Sequence, residues 1–506
     1  MRKILFFILI LSCILSAQDS TKSLAIKPTT IYFYKPLVQH KNAGYPLLAA
    51  YLLIQKAKDG DVFSQHELGI RYLLHEGFPA DTVQAAYWIK KAADQNLPSA
   101  KMNYAIMVNN GMGVEWNPFE AYKHFKYAAY HDVPNAQFAY GIFLIDNMVV
   151  NRNLTEAYVW IRKASNKGIE GADEVLKKLE EKGIHAPESL TTEIESKINS
   201  SQINANDDVL ISQDFYLDYF EFTSDSSGGK SEKMFEDIQK LTTSQIKELL
   251  GINKYEGDDT TNVSLIRRAA NNGSPEALYI LGRAYETGSM VGKNTVLAMI
   301  NYIRAYRLGS TNSFQKILEL TKDRKIYELL KKEIDSGNGD AMFAWAGLAA
   351  LGFNSQLAAD QALELLIKAG EQGNIYALVE AGLCYHTGTL VKEDKSKALG
   401  YWGRAIQLGS KEALVRMAFS NIFSDNDFAV QNSNFNVLLQ AANEGSVLAQ
   451  TYIAYCYEKG KGTPVNKALA VRYYRNASQR GNETAYESLI RMHDEIRPDE
   501  AEYKIY

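Results

Sequence analysis

The sequence predicts an all-α protein, an α/α superhelical solenoid of stacked helix-turn-helix repeats with a 36-residue period, interrupted by a non-repeat insertion. Three observations carry this. The stretches "AAYWIKKAADQNLPSA" (85–100), "AYKHFKYAAYHDVPNA" (121–136) and "AYVWIRKASNKGIEGA" (157–172) follow one another at 36-residue steps, and self-similarity at such a period marks a repeat architecture. Only 11 of 506 residues are proline, and Ala, Leu and Tyr are abundant, which favours helix. Gly, Asn or Asp recurs at one register, where each helix must stop.

From the N-terminus, residues 1–17 read as a signal peptide. Arg2 and Lys3 form a basic start, Ile4 to Leu15 is almost continuously apolar, and Leu15-Ser16-Ala17 offers a small-residue cleavage site. That run is too short for a permanent membrane helix. An exported, periplasmic protein is expected. The alternative is a lipoprotein of the cell envelope tethered through Cys13, because Ile10-Leu11-Ser12-Cys13 resembles a lipoprotein cleavage box. An N-terminal arm, 18–44, contains "TIYFY" and lies outside the repeats.

The first repeat block spans 45–182. In "AAYWIKKAA", Ala85, Trp88, Ile89 and Ala92 fall at i, i+3, i+4 and i+7, one face of a helix, while Lys90 and Lys91 face water. Residues that enter the left-handed region easily then end the helix: Gly60, Asn96, Asp132 and Gly168 here, and Gly273, Gly309, Gly337, Gly373, Gly409, Gly445 and Gly481 further on. Pro98 and Pro134 follow, where a helix starts and a missing N–H costs nothing. Gly69, Ala105, Gly141, Gly282, Ala346, Gly382, Ala418 and Ala454 are small residues that let two antiparallel helices approach closely.

The second block, 263–497, keeps the same step through Ala341, Ala377, Ala413, Ala449 and Ala485, but the gap from Ser313 to Ala341 is 28, so one unit is truncated. A C-terminal tail, 498–506, follows. "SQHELGIRYLLHEGFPADTVQAAYWIKKAADQNLPSA" resembles a Sel1-like repeat, a relative of the tetratricopeptide repeat. Tyr72, Gly77, Ala85, Trp88 and Ala92 match the family's pattern, as do Gly382, Tyr385, Gly388, Ala398, Trp402 and Ala405, and "AYCYEKGKGTPVNKALAVRYYRNASQRG" at 454–481. The resemblance implies an α-superhelix that mediates protein–protein contacts, in a family common among exported bacterial proteins. Some members carry cysteine pairs within each repeat, and this chain does not.

The insertion, 183–262, is rich in Ser, Asn, Thr and Asp. Its pattern predicts helices at 189–200 and 231–250, around a strand-like run "VLISQDFYLDYFEF" at 209–222. "SDSSGGKS" resembles a phosphate-cradling loop through Gly229, Lys230 and Ser231, but Ser224 replaces the first glycine, so a turn capping a helix is the preferred reading. Asp207, Asp208, Asp214, Asp218, Glu221 and Asp225 do not follow a calcium-loop spacing. The eight histidines are scattered, and His124, in the register of Trp88 and Trp160, reads as a packing residue. Cys384 and Cys456 lie 72 residues apart, and no bridge between them is expected.

Net charge is −4, from 55 basic and 59 acidic residues, so there is no electrostatic case for nucleic acid. Many of the 31 tyrosines, Tyr72, Tyr285 and Tyr385 among them, fall at repeat packing positions, so core packing is their default reading. Those off register, between Phe215 and Phe222, are better candidates for contact surfaces. No residue is assigned a catalytic, cofactor-binding or metal-binding role, and no cofactor is expected. The expected function is an exported scaffold that binds protein partners in the bacterial cell envelope. The alternatives are a lipid-anchored envelope component, or an enzyme or nucleotide-binding module in the insertion.

Overall fold

A computed structural model of the protein describes residues 30–32, 47–200, 214–216, 246, 262–353 and 357–505. Among the described residues are 23 α-helices, paired in repeats of about 36 residues. In chain order the first are α1 (Leu47–Lys58), α2 (Val62–Leu74), α3 (Thr82–Asp94), α4 (Pro98–Asn110), α5 (Pro118–Tyr130), α6 (Pro134–Asp146), α7 (Leu154–Asn166), α8 (Ala172–Glu181) and α9 (Glu188–Ser200). After the insertion come α10 (Asn262–Asn271), α11 (Pro275–Thr287), α12 (Thr295–Arg307), α13 (Thr311–Lys322), α14 (Lys325–Asp335), α15 (Gly339–Ala350) and α16 (Ala359–Glu371). The last are α17 (Ile375–Thr387), α18 (Lys395–Gln407), α19 (Lys411–Ser424), α20 (Phe428–Asn443), α21 (Val447–Lys459), α22 (Lys467–Gln479) and α23 (Glu483–Asp494).

Close approach within each pair rests on the small residue of its first helix. A Cβ built on Gly69 would lie 2.5 Å from the Ile89 side chain, one on Gly141 2.7 Å from Ile161, and one on Gly282 2.5 Å from Tyr302. The same atom on Gly382 would overlap the indole of Trp402. Each partner stands 20 residues on. Trp402 therefore occupies the place of Ile89 and Ile161, one residue beyond the register of Trp88 counted from the preceding alanine. Trp88 packs elsewhere, with Leu53, Ala57, Leu68 and Phe78.

All eleven positions expected to turn left-handed do so, including the non-glycines Asn96 (φ 66°) and Asp132 (φ 65°). A second left-handed series, at His75, Gly111, Asn147, Gly288, Gly388 and Gly460, ends the first helix of most pairs. Asp81, Asn117, Asn153, Asn294 and Asp394 then cap the second helix by accepting from its first backbone N–H groups. The truncated unit is α13–α14. Its inter-helix loop shrinks to Asp323 and Arg324, and both helices are shorter than the usual 13 residues.

The chain divides into two bodies. One comprises the described residues within Lys27–Glu221, Asn466–Val471 and Leu489–Tyr506. Its core runs from Ile70 through Trp160 to Leu179, and α9 joins it through Ile194 and Ile198, which are buried. The insertion's helix expected at 189–200 is thus part of the packed array. Also in this body, Thr30–Tyr32 (β1) pairs antiparallel with Asp214–Tyr216 (β2), with Ile31 opposite Phe215. These strands join "TIYFY" to the strand-like run. The helix expected at 231–250, apart from Ile246, the "SDSSGGKS" loop, Cys13 and the signal peptide lie outside the described residues.

The other body comprises the described residues within Phe222–Val465 and Arg472–Ser488. Its main core extends from Tyr279 to Ala398, and a neighbouring cluster joins Leu378, Trp402, Ala405 and Ala413. Cys384 and Cys456 lie here as buried free thiols. Burial pushes both up to about 12, so they stay protonated and inert.

Two outcomes are expected. Gly60 needs only its left-handed backbone, with nothing within 4 Å of a Cβ, whereas a Cβ on Gly113 would overlap the Thr82 carbonyl. Gly60→Ala should therefore cost about 1 kcal/mol and Gly113→Ala about 3 kcal/mol in urea unfolding, since overpacking adds to strain. His66 is 2 % exposed and lies 2.8 Å from the Asn103 amide. Burial lowers its pKa from 6.5 to about 3. Between these values the unfolded chain binds a proton that the folded chain refuses, so stability is full above pH 6.5 and falls towards pH 3. Thermal unfolding across that window should lose part of its slope in His66→Gln.

Candidate functional site: a segment held on the first repeats

One turn-by-turn stripe of α5 gathers Phe119, Tyr122, Lys123 and Lys126, at i, i+3, i+4 and i+7. Beside it runs the loop after α6. Asn147 enters it left-handed and accepts from the Arg152 N–H at 2.9 Å, and the Arg152 guanidinium donates to the Ile145 carbonyl at 2.9 Å. This pinning leaves the Met148 and Val149 carbonyls available to a donor from outside the loop.

The donor is Arg497, in the segment that follows α23. Its guanidinium donates to Met148 O at 2.9 Å, to Val149 O at 3.3 Å and to Tyr503 O at 2.9 Å. It also lies 5.2 Å from the Phe119 ring centroid. The segment ends in a short 3-10 turn, Ala501–Tyr503, which drives Tyr503 against the stripe. Tyr503 is 1 % exposed, edge-on to Phe119 at 5.3 Å and to Tyr122 at 6.0 Å, and its hydroxyl has no hydrogen-bond partner among the described residues. Asn151 donates to the Lys504 carbonyl at 2.7 Å.

Acidic side chains meet the two lysines. Glu502 accepts from the Tyr122 hydroxyl at 3.1 Å and from Lys126, and Glu500 lies 3.7 Å from Lys123. Burial pushes the Glu502 carboxyl up, but the bond and charge of Lys126 outweigh it, with help from Tyr122 and Lys123, and hold the pKa below its usual value. These ion pairs are largely exposed, so each adds little. Burying the Tyr503 ring contributes about 2 kcal/mol, and the Arg497 bonds are charge-assisted. Tyr503 and Arg497 are the anchors.

The residues weighed from sequence fall elsewhere. Tyr72 packs against Phe78 with tilted rings at 5.0 Å, Tyr385 lies parallel to Tyr401 at 5.5 Å, and Tyr285 packs on the second body's core. His124 packs edge-on to Tyr104 at 5.2 Å. Lys90 pairs with Asp94 at 2.8 Å, and Lys91 lies over the Tyr87 ring at 4.9 Å. Of the acidic run in the insertion only Asp214 is described, in β2. Among the described residues, no group of three or more His, Cys, Asp or Glu side chains could hold a metal ion. Sequence reading gave the tail no role. The available signal was a tyrosine, Tyr503, placed after the last repeat where no packing register explains it.

Comparison with known proteins agrees with the repeats. Residues 62–97, 98–133, 134–169, 275–310, 340–374, 375–410 and 447–482 match the Sel1 repeat. A chitin synthase regulator, SKT5, of Saccharomyces cerevisiae is 27% identical over 231 residues, 45% of this chain, and the match spans 30% of that relative's length. Among solved structures, a protective antigen of uropathogenic Escherichia coli with an SLR fold aligns over 87% of this chain and 81% of its own, at 20% identity and TM-score 0.28. A Sel1 repeat protein from Oxalobacter formigenes aligns over 88% of this chain and 91% of its own, at 18% identity and TM-score 0.21. The chain is a Sel1 repeat protein, with seven Sel1 repeats.

Proposed function

We propose that the protein is an exported scaffold that organises protein partners in a bacterial cell envelope. Sel1 repeat arrays are helical scaffolds that typically mediate protein interactions. The observation that carries the reading is the polypeptide already lying on the first repeats, held by ring, ionic and main-chain contacts. The kinds of contact that hold this segment, ring burial, ion pairs and main-chain bonds, are those by which a peptide would be held. Export is supported by the basic, apolar and small-residue order of residues 1–17. No catalytic domain is identified.

Two measurements test this. Crosslinking in native envelope followed by pull-down of the full chain should recover specific protein partners, and recovery of none above an unrelated envelope protein would count against the scaffold. Mass spectrometry of the mature N-terminus should find Gln18 as the first residue. A chain starting at a lipid-modified Cys13 would instead make it a tethered envelope component.

A further inference from the structure

The stripe on α5 is covered by something other than repeat stacking. Val83 holds the register of Phe119 in the preceding repeat and is 62% exposed, whereas Phe119 is 1% exposed. Burial at this register varies along the repeats, since Val296 holds it too and is 6% exposed, and at Phe119 the ring meets Tyr503 and Arg497 of the segment after α23. The segment has the chemistry of a ligand. An arginine reads two loop carbonyls, a tyrosine enters between two rings, acids meet two lysines, and Asn151 holds the backbone after the tyrosine. None of these contacts requires a covalent tether.

We propose that Phe119, Tyr122, Lys123 and Lys126, with the loop 147–152, form a recognition site for a short peptide carrying an arginine upstream of a Glu-Tyr pair, and that residues 497–505 are an intramolecular occupant which such a peptide displaces. This rests on the reading of the repeats as a protein-binding scaffold and names the ligand class of one of its surfaces. The partner would be a protein that exposes an acidic, tyrosine-containing turn. Because the tethered occupant competes at an effective concentration in the millimolar range, the site is masked until a partner outcompetes it. Few anchors and solvent-exposed ion pairs keep the occupant exchangeable.

The test uses full-length chain and a fluorescent peptide with the sequence of residues 494–505. Tyr503→Ala, which removes the anchor of the occupant and leaves the site intact, should bind the peptide at least tenfold more tightly than the wild type. Adding Lys126→Glu should weaken that binding at least fivefold, and a peptide with Ala at the Tyr503 position should not bind. A peptide with Phe there should bind at least as well, because the hydroxyl has no partner. Glu502→Lys, which sets the occupant against Lys126, serves as a second release variant should Tyr503→Ala unfold.

Equal affinity for wild-type and released chains would show that the segment masks nothing. Failure of a folded, released chain to bind would show that the segment is only a brace. If envelope crosslinking captures partners while the released chain ignores the peptide, the scaffold reading stands and this site falls.

Discussion

The constraint on which the structure depends is the contact between the small residue of one helix and the large residue 20 positions later in its partner. At Gly69, Gly141, Gly282 and Gly382 there is no room for a Cβ, because Ile89, Ile161, Tyr302 or Trp402 fills that space. The backbones of a pair can then approach closely, and the flanking alanines, such as Ala85 and Ala92, are fully buried. Once a pair is closed its outer apolar face has no cover of its own. Stacking the next pair supplies it, which is why the unit recurs.

Turn chemistry sets how the pairs follow one another. Left-handed residues between pairs reverse the chain within three-residue connections, five between α7 and α8, and the loop within most pairs carries its own left-handed residue and an Asn or Asp cap. The α13–α14 unit shows which part is dispensable. It loses most of the loop and keeps both helices, so its buried Ile317, Ile326 and Leu330 still pack. Loops tolerate deletion better than packed helices because their backbone bonds can be satisfied by water.

Such an array uses its repeated residues for shape and leaves its unrepeated residues for recognition. Phe119 makes this concrete. Its neighbours in register along the chain are Val83 and Thr155, neither of them a large aromatic ring. Phe119 and Tyr122 on one helix face, beside two lysines and a loop whose Met148 and Val149 carbonyls accept from Arg497, make the local surface on which the segment after α23 lies. Its contacts with the segment after α23 combine a buried ring, exposed ion pairs and main-chain bonds.

The sequence by itself determined the helical class, the period, the left-handed junctions and the shortened unit, because each depends on residues close along the chain. Ala85 with Trp88 and Ile89 is legible as a helix face, and Asn96 with Pro98 as a turn, without any tertiary contact. The one-residue shift of Trp402 from the register of Trp88 is also in the sequence, and the structure adds its cause, the facing Gly382. What only the tertiary structure decided were pairings over long separations. β1 meets β2 from opposite ends of the first block, and Tyr503 reaches Phe119 across more than half of the chain. A repeat pattern specifies which neighbours stack, but it holds no information about where a non-repeated segment docks. That depends on matching two surfaces whose residues share no period.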